Sequence, residues 1–158
     1  MKKSAPFTFE QAHESPGFLL WQITMLWQRL IKKALESYDI SHAQFVIMAT
    51  LLWLELQKQS TTQVDIIEWT KLDKMTVSKS LKKLVVLKFV NRIEHQSDSR
   101  AKSALLTSAG KKLVKKLIPL IEKVDARFFE KISKHEQRML TEVFQKLTMV
   151  ADFQRRAL

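Results

Sequence analysis

From Phe18 onward, apolar residues return every three to four positions, at Ile23, Leu26, Trp27, Leu30, Ile31, Ala34 and Leu35. That period is one face of an α-helix, and the stripe is long enough for about five turns. Ser15 followed by Pro16 supplies its start: a capping hydroxyl, then a proline where the first N–H lacks a helical partner anyway. The run Ser41 to Gln44 has the Ser and Gln of a capping box. The segment behind it, through Phe45, Met48, Leu51, Leu52 and Leu56, is apolar almost all round and predicts a helix buried on most sides. Ser60 to Gln63 reads as a second box before a short helix ending near Trp69. Asp73 caps a further helix from Lys74 to about Leu87. Thr107 caps a long one with Leu113, Leu117, Ile118, Ile121, Val124 and Phe128 on one face, which Pro119 is expected to bend. Ser133 to Glu136 is a third box, opening a last helix striped by Met139, Leu140, Val143, Phe144, Leu147 and Val150.

The helical rhythm breaks once. Lys88 to Gln96 and Ala101 to Thr107 are short alternating runs on either side of a four-residue polar tip, which predicts a β-hairpin. Residues 1–14 show no period and read as an arm. The order is helix, helix, short helix, helix, hairpin, helix, helix. A short helix, a tight turn, a second helix and a hairpin make a winged helix-turn-helix. The expected fold is mainly α, with about six helices and a two-stranded β-wing.

Stepping 100° per residue from Val77 brings Leu81, Leu84 and Lys88 within about 40° of it, with Val85 at the edge of that face. Met75, Lys79, Lys82 and Val86 fall on the far side, flanked by Thr76 and Lys83. One face packs and the other presents lysines and small hydroxyl residues, a surface suited to the major groove. The same pattern alone also describes a surface helix with solvated lysines. The preceding short helix and following hairpin favour DNA.

Charge sharpens this. The chain of 158 residues carries 27 Lys and Arg against 16 Asp and Glu, a net +11. Between Lys71 and Ser103 there are nine basic residues and three acidic ones, so over half of the excess lies in about a fifth of the chain. Clustering of this kind points to a polyanion, nucleic acid first. With 46% apolar residues the core is of ordinary size, and with 2 Gly and 3 Pro helices should dominate. There is no cysteine, hence no disulfide framework, thiolate zinc site or thiol redox sensor. Histidines 13, 42, 95 and 135 are scattered, so no metal site is expected. No nucleophile elbow, phosphate loop or carboxylate pair is visible; enzyme activity and a cofactor are not expected. Neither a signal peptide nor a membrane span is visible, and a cytoplasmic location fits.

At this point a resemblance enters. Asp73 to Leu84 (DKMTVSKSLKKL), Val90 to Arg92 (VNR), Asp98 to Arg100 (DSR) and Leu106 to Gly110 (LTSAG) together resemble the MarR family of bacterial transcriptional regulators. Ser15 to Leu20, Ser41 to Met48 and Thr62 to Ile67 resemble the first three helices of that family. The similarity runs from about residue 15 to the end. It implies a winged helix-turn-helix lobe over 39–107, an arm and first dimerisation helix over 1–38, and C-terminal dimerisation helices over 108–158. It implies a homodimer that places two recognition helices on a pseudopalindromic operator in double-stranded DNA, most often as a repressor in the bacterial cytoplasm, associated with the nucleoid. The DNA-contacting residues it implies are Lys74, Met75, Thr76, Ser78, Lys79, Lys82 and Lys83 on the recognition helix, and Thr61, Thr62 and Gln63 at the helix-turn-helix entry. On the wing they are Arg92, Ser97, Asp98, Ser99, Arg100 and Lys102. Arg100 is the minor-groove or phosphate contact, since a narrow minor groove attracts arginine. Asp98 is expected to fix the turn by accepting from the wing backbone or by pairing with Arg92 or Arg100.

Gly110 is expected to leave room where the next helix begins beside the wing. Two departures stand out: Lys88 where the family usually has glycine before the first wing strand, and Ser99 where it often has arginine. Many relatives take a small-molecule effector between the dimer region and the DNA lobe. Trp21, Met25, Tyr38, Met48 and Trp53 are candidates for such a crevice, although aromatic and Met stripes at helical spacing are more often core. A winged helix used for protein–protein contact is the alternative reading. Binding to an anionic membrane through Lys111 to Lys116 is disfavoured because that helix's apolar face is committed to packing.

Overall fold

The structure, a computed structural model, describes residues 8–9, 11–94 and 102–156. A 3₁₀ turn at Ala12–Glu14 leads into α1 (Pro16–Leu35), and a second at Glu36–Tyr38 separates it from α2 (His42–Leu56). Then come α3 (Gln63–Thr70), α4 (Lys74–Val86), β1 (Val90–Glu94), β2 (Lys102–Leu106), α5 (Ser108–Phe129) and α6 (Lys134–Arg156). The chain divides into two units, residues 1–121 and residues 122–158.

The caps explain most boundaries. The Ser15 hydroxyl accepts the Phe18 N–H at 3.3 Å, with Pro16 in the first turn. Ser41 and Gln44 form the expected reciprocal box, at 2.9 and 3.2 Å. Ser133 and Glu136 do the same, at 2.7 and 3.2 Å. The box before α3 lies two residues later than the sequence pattern suggested. Thr62 is the cap, its N–H donating to the Asp65 carboxylate at 2.7 Å and its hydroxyl accepting the Asp65 N–H at 3.3 Å. A carboxylate is a stronger acceptor than the Gln63 amide and is favoured by the positive end of the helix dipole.

In the first unit α2 is the central element and packs against α1, α3, α4 and β2. Ile47, Met48 and Leu54 on it are fully buried, together with Ile31 and Leu35 of α1, Ile66 of α3 and Val77, Leu81 and Leu84 of α4. The far end of α2 departs from the all-round burial expected of it: Trp53 and Leu56 are exposed. From α5, Val114, Leu117 and Ile121 join the core, while the Lys111 ammonium pairs with Glu55 and that of Lys116 lies over the Tyr38 ring. In the second unit, the Gln137 side-chain amide donates to the carbonyls of Phe129 and Ile132, closing the turn between α5 and α6.

The wing is antiparallel, with Val90 opposite Leu106 and Arg92 opposite Ala104. It is anchored to the lobe by the segment before α3: Thr62 bridges Ser103, and the Ala104 N–H donates to the Thr61 carbonyl at 2.9 Å. At its base, α4 ends in a Schellman motif, the Phe89 N–H donating to the Leu84 carbonyl and the Lys88 N–H to that of Val85. Lys88 takes the left-handed conformation this requires, at φ 61°. The start of α5 locks onto that turn. The Thr107 N–H donates to the Phe89 carbonyl at 3.0 Å, its hydroxyl donates to the Lys88 carbonyl at 2.8 Å, and the same oxygen accepts the Gly110 N–H at 3.0 Å. A Cβ on Gly110 would lie 2.1 Å from the Phe89 carbonyl oxygen, so only glycine fits here.

Candidate nucleic-acid interface

The recognition-helix face is built by the burial of its opposite side. Val77, Leu81 and Leu84 sink into the core, and this turns Met75, Lys79, Lys82 and Val86 to solvent, as the 100° step predicts. Lys74 is exposed beside them, and Ser78 is half-buried on the flank. Met75 and Val86, at 66% and 75% exposure, add apolar surface to this face. The face thus offers cations for phosphates and apolar groups for thymine methyls.

The N-terminus of α4 is held by Asp73, whose carboxylate accepts the Thr76 N–H at 2.8 Å and the Thr76 hydroxyl at 2.6 Å. These bonds, the side-chain one first, hold the Asp73 carboxyl below its ordinary value. Thr76 is half-buried, and its hydroxyl gives its proton to the exposed Asp73 carboxylate. Lys83 lies on the other flank and is exposed, but it lines a crevice described below.

The helix-turn-helix entry corrects one expectation. Thr61 is 2% exposed and its carbonyl holds the wing strand, so it is a packing residue that DNA does not reach. Thr62 and Gln63 are half-buried. Thr62 caps α3, and the Gln63 side-chain oxygen accepts from the Arg92 guanidinium. Arg92 therefore ties the wing to α3, and its Nε is buried without a hydrogen-bond partner among the described residues. Ser97, Asp98, Ser99 and Arg100, the tip of the wing, lie outside the described residues, and of Lys102 only the backbone, paired in β2, is described.

A cavity of about 930 Å³ opens in the first unit among α1, the start of α2, the end of α3 and α4. Met25, Trp27, Arg29, Lys32, His42 and Lys83 are among its lining residues. Of the five candidates proposed from sequence, Met25 lines it. Met48 does not line it: it is fully buried in the core, because α2 presents that face to the lobe. Tyr38 is half-buried and met by Lys116, and Trp21 and Trp53 are exposed outside this lining. The sequence reading missed Trp27, Arg29, Lys32 and His42. The signal was present in that α1 carries a polar face at Arg29 and Lys32, continued by Glu36 of the next turn, beside its apolar stripe, but nothing in spacing says which face a cavity meets. Among the described residues no cluster of His, Asp and Glu is arranged for a metal ion, and no helix is long and apolar enough to cross a membrane.

Comparison with known proteins agrees with this geometry. Residues 36–124 match the ArnR1-like winged-helix domain family. The chain is 34% identical over 128 residues to YdcH of Bacillus subtilis, an uncharacterised HTH-type transcriptional regulator, covering 81% of this chain and 87% of YdcH. The fold is that of Bordetella bronchiseptica BpsR, whose DNA binding is regulated by 6-hydroxynicotinic acid: TM-score 0.80, 22% identity, 91% of this chain and 98% of BpsR. It is also that of Escherichia coli MarR (C80S) complexed with operator DNA, at TM-score 0.73 and 20% identity over 83% of this chain and 91% of MarR. A basic recognition helix mounted on a winged-helix core, in a chain whose relatives regulate transcription, supports one assignment: this protein belongs to the ArnR1-like winged-helix family of HTH-type, DNA-binding transcriptional regulators, and its fold is that of the MarR-family structures.

Proposed function

We propose that the chain works as a homodimeric repressor on a pseudopalindromic operator and that a small molecule in the α1–α2 crevice relieves it. The observation that carries the DNA part is the outward face of α4, where Met75, Lys79, Lys82 and Val86 stand exposed while the opposite face is core. Dimerisation is supported by two helices that leave apolar stripes in solvent. On α1 these include Trp21, Ile23, Leu26 and Leu30; on α6 they include Met139, Val143, Phe144 and Leu147. Exposed apolar area of that extent is what a second copy of the chain covers in a symmetric interface. Two copies present two recognition helices, matching half-sites about one helical turn apart.

On the wing, this reading assigns Arg100 to the minor groove or its phosphates, and gives Asp98 the task of fixing the turn by accepting from the wing backbone or by pairing with Arg92 or Arg100. The crevice has the size of an effector site, since such sites run to about 300–1,000 Å³. Its lining by Lys83, a residue of the recognition helix, gives a bound molecule a direct purchase on α4.

Selection from a random duplex DNA pool, with sedimentation of the protein at the same concentration, tests the proposal. A two-fold-symmetric site bound by a dimer is expected. Binding without sequence preference that moderate salt abolishes would reduce the basic face to a polyanion surface. No binding by a well-folded dimer would favour a winged helix that meets protein.

A further inference from the structure

The N-terminal end of α4 has a fixed hydrogen-bond polarity. The Thr76 hydroxyl has one proton, and it is given to Asp73 at 2.6 Å. What remains on that oxygen is acceptor capacity. An ionised carboxylate also only accepts, and Asp73 is exposed with capacity beyond the two bonds from Thr76. The two side chains therefore make a surface that accepts hydrogen bonds and gives none.

The N-terminal residues of a recognition helix are the ones that meet base edges in the major groove. Phosphate oxygens only accept, so these two side chains gain nothing from the DNA backbone, a purpose the neighbouring Lys74 and Lys79 can serve. Guanine shows two acceptors in the groove, and thymine an acceptor beside its methyl. Adenine pairs its amine with an adjacent acceptor, N7, which asks the protein for a donor as well. Cytosine offers its N4 amine with no acceptor beside it.

Resting on the reading of α4 as the recognition helix, we infer that Asp73 and Thr76 are specificity-determining residues that together read one cytosine in each operator half-site. Asp73 thus has two tasks: it caps the helix and it orients the Thr76 hydroxyl so that the pair can only accept.

The inference is tested with the full chain and a random duplex pool, comparing wild type with Asp73→Asn, Thr76→Val and Thr76→Ser. Wild type should select a symmetric site with cytosine at one fixed position per half-site. Thr76→Val should lower the preference for cytosine there by about tenfold, the discrimination a good base contact supplies, leaving other positions unchanged. Thr76→Ser keeps the hydroxyl and should keep the preference. Asn is as good a helix cap as Asp, and its amide both donates and accepts, so Asp73→Asn should shift selection from cytosine toward adenine. A wild-type site whose every position is selected unchanged by both Asp73→Asn and Thr76→Val, or one without such a cytosine, overturns the inference and leaves the regulator standing. Failure of wild type to select any site removes both together. Thr76→Val leaves the cap in place, so it answers the question even if Asp73→Asn does not fold.

Discussion

Replacing Lys88 isolates a backbone cost that the fold tolerates at the base of its wing. Lys88 sits at φ 61° in the turn that ends α4, where glycine is the usual occupant of such motifs. A residue with a Cβ loses about 1–2 kcal/mol in this conformation. Glycine avoids that loss but brings a backbone entropy penalty of about 0.5–1 kcal/mol. A lysine at this place also meets the negative end of the helix dipole, worth about 0.3–1 kcal/mol, which glycine gives up. Lys88→Gly against wild type therefore mixes three effects that nearly cancel. The informative comparison is Lys88→Gly against Lys88→Ala, because both lack the charge and differ in the Cβ. Glycine should exceed alanine by about 0.5–1 kcal/mol, which for a chain of this length is a midpoint difference of a few °C, about 2–4 °C per kcal/mol. Thermal or urea unfolding at one fixed protomer concentration measures it, since dimerisation makes the midpoint concentration-dependent. Equal stability of the two variants, or a more stable alanine, would refute the claim that the turn carries a left-handed penalty.

Other consequences are more direct. Gly110→Ala should destabilise by about 3 kcal/mol or more, because its Cβ would force the Phe89 carbonyl aside and break its bond from Thr107; a midpoint near wild type in the same unfolding assay would contradict the close approach. Lys79→Ala and Lys82→Ala should each reduce the slope of log affinity against log salt by about 1, read from binding titrations across salt; an unchanged slope in both would take them off the phosphates. Asp73 should add an acid limb to stability. Its folded-state value is lowered, so its contribution is present above the ordinary carboxylate range and is lost as pH falls through the lowered value. Asp73→Asn removes that titration, and melting curves below about pH 5 should flatten relative to wild type.

Much of this was legible in the sequence, for identifiable reasons. Helix starts were the clearest, because a cap is a local event: Ser15, Ser41, Asp73 and Ser133 all act within three residues of themselves. The misplaced box before α3 shows the limit. Three hydroxyl residues stand in a row at Ser60, Thr61 and Thr62, and composition cannot say which one caps. Asp65 decides it, and the segment ahead of it is claimed by the wing through Thr61 and Thr62. Tertiary pairing thus overrides a valid local pattern. The same cause removes Thr61 from the DNA surface and gives Gln63 to Arg92. The crevice was the least legible part. A helical period tells which residues share a face, and it gives α1 its stripe, but whether a face meets core, cavity or a second copy depends on what the other elements leave uncovered.

The scarcity of glycine, which first suggested a chain of helices, takes on a second meaning in three dimensions. At the described positive-φ positions, Asp39, Lys58, Lys71 and Lys88, there is no glycine. Lys58, Lys71 and Lys88 follow α2, α3 and α4 in turn, each at the negative end of its helix, where a cation recovers part of the left-handed cost. For a protein that binds DNA this placement has a further effect. Lysines that close helices also add to a basic surface, so the residues that end Gln63–Thr70 and Lys74–Val86 contribute to the field that draws the polyanion in. Gly110 stands where a side chain has no room, at the crossing of α5 over the turn at Phe89. The wing and the recognition helix meet at that crossing, so its geometry sets how the two DNA-facing elements are held relative to each other.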